Sequence, residues 1–391
     1  MPSISPMRIG VTGPACLNSF GERYLLPDAP ATHSFAPLTH YITELLGRGH
    51  IIHLFTTGDT RNEWVIQRGQ LTVTVVPRRK SGTMGNFLSN ERAALTAAMM
   101  NSQCDVIHAN WTYEYALAAQ AVHKPCLVTA HDAPFALLPY MRPFRYWFFH
   151  SLMTLPVLSR SNQLVVISPY LKSYYQRYHF YYKPIHVIPE YVPTRSFDYY
   201  RDKECLAPTF SAALNGWGKR KNAVTLIRAF SYVRRDIPDA RLILFGNGHG
   251  KCEQADIWAK QHGLEDGVEF AGNTHNSLLL TRWRDEVDIL VHPAREESFC
   301  VAIADAMAMG IPVIAGKNCG AVPWLLGEGE CGMLTDAEDA RAIAQAMIHL
   351  ARHPAARDCF RYKARVRAES TFRLDAVADQ YLKLYRQLLT K

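Results

Sequence analysis

Two carboxylates, Glu297 and Asp305, are separated by seven residues in a stretch that alternates between strand and helix character. If the segment from Phe299 to Met309 is helical, about 10–12 Å separates the two acids along the helix axis. That separation suits a ligand with hydroxyls at both ends and an anion in the middle. Sugar hydroxyls would meet Glu297, a ribose diol would meet Asp305, and amides at the helix start would face a diphosphate. The spacing therefore indicates a sugar-nucleotide site.

The elements around the two acids read as a β–α–β unit. An apolar run ends at Val291, Ser298 is a residue type that caps helices, and Gly310 is a natural helix stop. The next apolar run, Ile311 to Ala315, predicts a buried strand. On spacing alone, an ordinary buried β–α–β unit preceded by a solvated acid explains the pattern about as well. A carboxylate inside the apolar VAIADAMAM favours a site, because a buried carboxylate needs a partner.

The same stretch resembles the signature of GT-B glycosyltransferases of the family 4 type. The match consists of Glu297, seven residues, Asp305, then Ala306-Met307-Ala308, Gly310-Ile311-Pro312-Val313-Ile314 and Cys319-Gly320. Four positions depart from the family pattern. Asp305 stands where Glu is usual, Cys300 and Cys319 stand where Gly is usual, and Trp324 stands where an acid often follows the Pro. Within this resemblance Glu297, Ser298, Phe299, Cys300, Val301 and Asp305 are expected to bind the donor.

The resemblance implies an α/β protein of the GT-B class, with two Rossmann-like domains facing across a cleft. We expect an acceptor-side domain at 1–192, a linker at 193–208 and a nucleotide-sugar domain at 209–374. The final helix is expected from Asp375 to Leu389, where apolar residues recur at helical spacing. In the GT-B class such a tail (375–391) is expected to pack on the first domain. The implied reaction is sugar transfer from a nucleoside-diphosphate sugar to a hydroxyl acceptor, with retention of configuration. The resemblance also implies metal-independent chemistry, which the lack of a DxD motif in the sequence fits, so neither a metal nor another cofactor is expected.

A glycine- and cation-rich loop precedes the predicted helix from Ala223 to Asp236. It resembles the Gly-Arg-x-x-x-x-Lys-Gly loop of the family, with Lys221 on the Lys and Gly216 on the Arg. Lys219 or Arg220 is then the expected source of the second cation on the diphosphate. A basic turn at a helix start is the plainer alternative, but cations are electrostatically disfavoured there. Further along, Gly272 and Asn273 end an apolar run and are expected near the nucleotide base.

The first half carries two weaker candidates. Gly13 ends the strand MRIGVT and is the expected N-terminal loop residue, although the glycine pair of the family is absent. His131 follows CLVTA, and polar residues at the carboxyl end of a parallel strand commonly meet a ligand. The resemblance places His131 over the donor sugar, with Asp132 orienting it. The residues expected in the reaction itself are His131, Glu297 and Lys221.

Two basic stretches bear on the acceptor. The loop at Arg78-Arg79-Lys80 is either a solvated loop or a contact for an acidic acceptor such as a lipid-linked phosphate. The segment from Ala133 to Pro189 has no Asp or Glu, and YMRPFRYWFFH mixes cations with large aromatics. A core-facing helix with a basic edge and a surface that rests on an anionic membrane explain this segment equally well.

Composition limits the remaining classes. The chain has 391 residues, 48% hydrophobic and 20% charged residues, and a net charge of +8. No membrane-spanning window and no nucleic-acid motif accompany that charge. Nine cysteines without a CxxC pair indicate free thiols and a cytoplasmic location. The expected partners are a nucleotide sugar, a carbohydrate or lipid-linked acceptor of cell-surface assembly, and the inner membrane face. A non-catalytic nucleotide-sugar-binding partner, a phosphorylase and an epimerase remain as alternatives.

Overall fold

A computed structural model describes residues 6–24, 26–33, 35–81, 84–200 and 207–390. The part of the predicted linker at 201–206 lies outside the described residues, as do Gly82 of the basic loop and Cys205. The chain divides into two compact units, one made of 1–190 and 374–391 and the other of 191–373. Each unit is built on one largely parallel sheet, so the expectation of two α/β domains is confirmed.

The strands of the first unit are β1 (Arg8–Thr12), β2 (Ile51–Gly58), β3 (Trp64–Arg68), β4 (Leu71–Pro77), β5 (Val106–Asn110), β6 (Cys126–Ala130), β7 (Leu164–Val166) and β8 (Ile185–Val187). Those of the second are β9 (Thr209–Ala213), β10 (Arg241–Phe245), β11 (Val268–Gly272), β12 (Ile289–His292), β13 (Val313–Gly316) and β14 (Met333–Thr335).

The α-helices in chain order are α1 (Ala36–Gly47), α2 (Ser89–Met100), α3 (Glu114–Gln120), α4 (Pro134–Leu137), α5 (Phe144–Leu152), α6 (Thr154–Arg160), α7 (Pro169–His179), α8 (Thr194–Asp198), α9 (Ala223–Asp236), α10 (Gln254–Gln261), α11 (Asn276–Glu286), α12 (Val301–Met309), α13 (Val322–Leu325), α14 (Ala340–Arg352), α15 (Pro354–Thr371) and α16 (Leu374–Leu389). Short 3-10 helices lie at Leu17–Ser19, Glu22–Tyr24, Met84–Asn86, Leu138–Tyr140 and Gly327–Gly329.

The first sheet has the order β3-β4-β2-β1-β5-β6-β7-β8, and β3 is its one antiparallel strand among the described residues. The central strands β1 and β5 are buried almost throughout, as strands covered by helices on both faces must be. Helix α16 packs on this unit. Tyr385 of α16 lies 2.8 Å from Tyr41 and 2.7 Å from His108, measured from its hydroxyl, so the C-terminal tail is tied to the core of the first sheet.

The second sheet is parallel throughout, in the order β11-β10-β9-β12-β13-β14. Its core is aliphatic and aromatic, with Phe210, Leu226, Phe230 and Leu242 among the fully buried residues. In a parallel sheet of this kind the carboxyl ends of the strands share one edge, and ligands bind in the loops there. The loops after β9, β10, β11 and β12 therefore define where a site can form.

Residues 193–200, expected as linker, lie within the second unit. Helix α8 buries Ser196 and Phe197, and α8 packs against α12. The prolines in this stretch suggested a linker, but Pro193 directly precedes α8. No helix of the described chain is long and apolar enough to cross a membrane. The eight cysteines that the structure describes are free.

Candidate functional site

Lys221 and Glu297 form the centre of the candidate site in the second unit. Lys221 lies in the loop between β9 and α9, Glu297 lies in the loop between β12 and α12, and Lys221 Nζ is 2.5 Å from Glu297 Oε1. Arg220 Nη1 lies 3.5 Å from the other carboxylate oxygen and donates to the Glu296 carbonyl at 3.2 Å. Two loops that are distant in sequence thus bring one acid and two cations together at the carboxyl edge of the sheet.

Backbone contacts hold these two loops in place. Asn222 sits in the left-handed region at φ 57°, and its side-chain amide donates to the carbonyls of Pro293 and Ala337. The Glu297 carbonyl accepts from the Ala321 amide at 2.8 Å. A side chain at Gly320 would meet that carbonyl at 2.2 Å, so the glycine turn is what lets the two loops approach. The position of Glu297 is therefore fixed by the backbone on both sides.

His292 extends the cluster, a role that the sequence analysis did not assign. Its Nε2 lies 3.2 Å from Glu297 Oε1 and 3.5 Å from Cys300 Sγ. Burial alone would lower the pKa of His292, but the neighbouring Cys300 and Glu297 outweigh burial and raise it to about 9. Burial would likewise raise the pKa of Glu297, yet Lys221, His292 and Arg220 hold it well below its usual range. Glu297 is therefore a carboxylate surrounded by donors.

His292, Glu297 and Cys300 also have the geometry of a metal site. Their ligand atoms all lie within 4.8 Å of one another. However, Lys221 and Arg220 already lie against both oxygens of Glu297. Two fixed cations beside the carboxylate oppose a third, so the electrostatics of the cluster suit an anionic or hydroxylated ligand better than a metal ion.

The helix start differs from the prediction. Helix α12 begins at Val301, not at Phe299, and its N-cap position is Cys300 at φ 102° with no side-chain cap hydrogen bond. The prediction that Ser298 caps the helix is therefore wrong. Ser298 and Phe299 belong to the loop instead, and Phe299 is buried against Phe372. The stop at Gly310, in the left-handed region at φ 72°, is confirmed.

Asp305 is the fifth residue of α12 and faces α8. Because Glu297 lies outside the helix, the predicted spacing of about two helical turns between the acids does not apply. Asp305 is buried, and its Oδ1 accepts from Ser196 Oγ at 2.9 Å. Burial raises the pKa of Asp305 to about 6. The hydrogen-bond partner that this buried carboxylate needs is thus a serine of the same unit. Binding of a ribose by Asp305 stays a prediction.

The glycines at the sheet edge shape the rest of the site. Gly216, at φ 93°, follows β9, and its amide donates to the Asn247 carbonyl in the loop after β10. Gly272, at φ 69°, ends β11, where a side chain would come within 2.8 Å of the Gly250 backbone. Asn273 is exposed beside it, and Lys219 is exposed in the loop of Lys221. Strands β10 and β9 separate β11 from β12, so Gly272 lies about 14 Å across the sheet from the strand that leads to Glu297.

In the first unit, His131 is held by two oxygens. Its Nδ1 lies 2.5 Å from Glu190 Oε1, and its Nε2 lies 2.9 Å from Asn110 Oδ1. Gly13 packs on the same asparagine, since a side chain at Gly13 would meet Asn110 Cβ at 2.9 Å. The structure thus brings Gly13 and His131 together at the carboxyl edge of the first sheet. Glu190 was not among the residues expected in the site.

Asp132 does not contact His131 through any hydrogen bond that the structure records. Its Oδ2 accepts from the Tyr113 hydroxyl at 2.9 Å, and burial raises the pKa of the carboxyl. The expectation that Asp132 orients His131 is therefore corrected, because Glu190 holds that position. The stacked partner of the imidazole is Trp111, with ring centroids 4.3 Å apart.

The basic loop after β4 is neutralised within its own unit. Arg78 pairs with Glu114, Arg79 with Glu91, and Lys80 with Asp59, at distances of 3.2, 2.7 and 3.1 Å. These pairs favour the structural interpretation of the loop. The segment after Ala133 is different, since Phe144, Phe148 and Phe149 of α5 are exposed beside Arg145. Aromatic side chains on that face are unusual for a simple core-facing helix.

Comparison with known proteins agrees with this architecture. The family model described as Glycosyltransferase Family 4 matches residues 38–196, and that described as Glycosyl transferases group 1 matches residues 209–353. The chain is 27% identical to N-acetyl-alpha-D-glucosaminyl L-malate synthase of Bacillus anthracis, covering 45% of each chain. It is 30% identical to phosphatidyl-myo-inositol mannosyltransferase of Mycobacterium leprae, covering 44% of each. The matched region therefore spans less than half the length of these curated relatives.

Solved structures extend the likeness to nearly the whole chain at the level of fold. Sucrose-phosphate synthase from Thermosynechococcus elongatus superposes with a TM-score of 0.76 at 18% identity, covering 98% of this chain and 99% of the other. Anabaena HepE, solved in complex with UDP and glucose, gives 0.68 at 16% identity, covering 97% and 99%. With one family model on each unit and this fold throughout, the chain belongs to the GT-B glycosyltransferases of the family 4, or group 1, type.

Proposed function

We propose that the protein transfers a sugar from a nucleoside-diphosphate sugar to a hydroxyl of a carbohydrate or lipid-linked acceptor, with retention of anomeric configuration and without a metal ion. The observation that carries this proposal is the cluster of Lys221, Arg220 and Glu297 at the carboxyl edge of the second sheet. A diphosphate leaving group is stabilised by positive charge, and the hydroxyls of a sugar ring need a hydrogen-bond acceptor. The cluster offers both within one hydrogen-bonded group.

The dimensions of the edge suit such a donor. The base would lie by Gly272 and Asn273, and the sugar by Glu297, about 14 Å away across two intervening strands. Between them, Gly216 and Lys219 to Lys221 line the loop after β9, where glycine allows close approach and the cations neutralise phosphate charge. The amide of Val301 at the start of α12 adds a further donor. Asp305 would accept a hydrogen bond from a ribose hydroxyl in place of the one that it accepts from Ser196.

Catalysis in this proposal is electrostatic. Lys221 and the helix start stabilise the developing charge on the diphosphate, and Glu297 orients the sugar through its hydroxyls. The family resemblance adds His131 as the third residue expected in the reaction. The relatives support a range of substrates: one is named for an L-malate product and another for a phosphatidyl-inositol acceptor. Anabaena HepE was solved with UDP and glucose, which supports including UDP-glucose among the donors to test.

We place the acceptor in bacterial cell-surface polysaccharide or glycolipid assembly, with the protein resting on the inner face of the cytoplasmic membrane. The exposed Phe144, Phe148 and Phe149 of α5, next to Arg142 and Arg145, have the composition of an interfacial surface. The absence of acidic residues from Ala133 to Pro189 leaves that charge uncompensated within the segment.

The test is a panel of UDP-, GDP-, ADP- and dTDP-sugars, incubated without acceptor, with release of nucleoside diphosphate as the readout. We expect slow release from one nucleotide class in the wild type, and at least a tenfold loss in Glu297→Ala. The matched control is Glu265→Ala, an exposed acid of the same unit in the loop before β11. Binding of a nucleotide sugar without turnover, even with crude acceptor lipids, would instead favour a non-catalytic binding partner.

A further inference from the structure

A cavity of about 260 Å³ in the first unit has a composition that the proposed transfer does not yet explain. Its walls carry Trp111, Tyr113, Asp132, Tyr146, Trp147 and His150. Four of these six are tyrosines or tryptophans, and the other two are an acid and a histidine. A cavity of this size accommodates a single hexose-sized ring and is small for a nucleotide.

The aromatic wall is built from two separate parts of the chain. Trp111 and Tyr113 follow β5, and Tyr146 and Trp147 lie on α5. Trp111 is held in the left-handed region at φ 67°, a conformation that is strained for a non-glycine residue. Its ring nevertheless stays at the cavity, stacked on His131. Flat aromatic faces with negative potential suit the polarised C–H groups of a sugar ring.

Two buried polar atoms at the cavity have no hydrogen-bond partner among the described residues, namely Asp132 Oδ1 and His150 Nδ1. His150 is only 7% exposed. Leaving such atoms unpaired is costly, and a native structure that does so calls for an explanation. A hydroxyl both donates and accepts, so a polyol can serve the carboxylate oxygen and the imidazole nitrogen alike.

The charges around the cavity exclude an anionic occupant. Glu114 bridges Arg78 at 3.2 Å and His150 at 3.1 Å, so the one guanidinium on the cavity wall is already paired. Although burial would raise the pKa of Glu114, these contacts lower it to about 2. With Asp132 as a second acid, the wall carries no uncompensated positive charge for a phosphate or carboxylate.

We infer that this cavity binds an uncharged saccharide ring, the sugar unit of the acceptor, by stacking on Trp111 and Trp147 and by hydroxyl contacts to Asp132 and His150. That this sugar belongs to the acceptor rests on the proposed transfer. Binding of a sugar ring in the cavity does not depend on that transfer. Helix α5 presents Tyr146, Trp147 and His150 to the cavity and Phe144, Phe148 and Phe149 to the outside. A sugar carried by a membrane lipid would meet both faces of the same helix.

The test uses the full chain and saturation-transfer NMR with uncharged methyl glycosides of glucose, galactose, mannose and N-acetylglucosamine. Glucose 6-phosphate and glycerol phosphate form the anionic arm. We expect one uncharged glycoside to bind more tightly than about 10 mM, and Trp147→Ala to weaken it at least tenfold. Trp147→Phe, which keeps an aromatic face, should retain most of the binding. Trp64→Ala, on the edge strand β3, is the matched control.

Donor binding is measured on the same samples, so that the two ideas fail separately. Trp147→Ala should leave nucleotide-sugar affinity and the unfolding temperature unchanged. Asp132→Asn should lower the affinity for the glycoside and leave the affinity for the donor unchanged. Binding of the anionic arm alone, or no glycoside bound below about 10 mM, would overturn the inference while the proposed transfer stands. Glycoside binding without any donor binding would support the cavity and contradict the transfer.

Discussion

Glu190 Oε1 lies 2.5 Å from His131 Nδ1, and both side chains are buried in the first unit. The opposite ring nitrogen lies against Asn110 Oδ1, so the imidazole is fixed at both ends. Family resemblance suggests His131 as a reacting-centre residue, but it says nothing about an acid at position 190. The pair makes Glu190 a positioning residue, since a carboxylate on one imidazole nitrogen sets the orientation of the ring.

The pair predicts a kinetic effect without an effect on donor affinity. Glu190→Gln keeps the size of the side chain but removes its charge, so we expect donor turnover to fall by about 10–100-fold. The Michaelis constant for the donor should stay unchanged, because the substitution alters the orientation of the imidazole and leaves the donor cluster of the second unit intact. Glu44→Gln on α1 is the control. A loss of donor affinity together with a lower unfolding temperature would show that Glu190 is only structural.

Asp305 predicts opposite effects on stability and on binding. Its folded-state pKa of about 6 lies above the usual value for Asp, so ionising it in the folded protein costs free energy at pH above about 6. Asp305→Asn keeps an oxygen for Ser196 and removes that cost, so it should raise the free energy of unfolding by about 1–3 kcal/mol at pH 7.5. At pH 4 the variant and the wild type should unfold alike. Donor affinity should fall, because the neutral amide is a poorer acceptor for the ribose hydroxyls.

Urea unfolding at the two pH values, with nucleotide titrations alongside, tests this split. Asp336→Asn, in the loop after β14, serves as the control. Equal destabilisation of Asp305→Asn at both pH values would mean that the carboxylate contributes to folding through its contact with Ser196.

His292 predicts a loss of stability at alkaline pH. Its folded-state pKa of about 9 lies above its unfolded value, so the stabilisation is complete below about pH 6.5 and disappears as pH rises through 9. Urea midpoints of the wild type should therefore decrease between pH 6.5 and 9.5, and His292→Gln should flatten that decrease. His275→Gln, on an exposed histidine of the same unit, should leave the slope unchanged. A slope that persists in His292→Gln would assign the titration to another group.

The outer face of α5 predicts binding to anionic vesicles. Phe144→Ser with Phe148→Ser removes two exposed aromatics, and we expect the partition onto vesicles containing phosphatidylglycerol to fall at least tenfold. Arg142→Gln with Arg145→Gln should instead weaken the dependence of binding on salt. Tyr362→Ser, at an exposed aromatic of the second unit, is the control. Equal sedimentation of all variants with vesicles would contradict a membrane-facing α5.

The regular elements of the second unit could be predicted because they follow local patterns. The expected helix from Ala223 to Asp236 agrees with α9 at both ends, and the glycine stop of α12 is where it was expected. The predicted start of α12 was wrong, because Cys300 occupies a left-handed conformation that is usually signalled by a glycine in the sequence. Ser298 looked like a cap, and only the backbone path of the loop shows that it is not.

The contacts of the site were less predictable because most of them join distant parts of the chain. Ser196 meets Asp305, and Glu190 meets His131, through packing that no periodicity encodes. The sequence predicted that Lys221 and Glu297 belong to one site, but it did not predict that they pair with each other. The cavity beside Trp111 gave no sequence signal, since the aromatic residues of α5 were equally consistent with a core helix.

Calorimetric titration of the wild type and Lys221→Ala with a nucleoside and its diphosphate measures whether the cluster at Lys221 binds the diphosphate of the donor. The account predicts that the diphosphate binds the wild type at least tenfold more tightly than the nucleoside. This advantage should be largely lost in Lys221→Ala and retained in Lys260→Ala, on α10 of the same unit. Undiminished preference for the diphosphate in Lys221→Ala would contradict the assignment of the site.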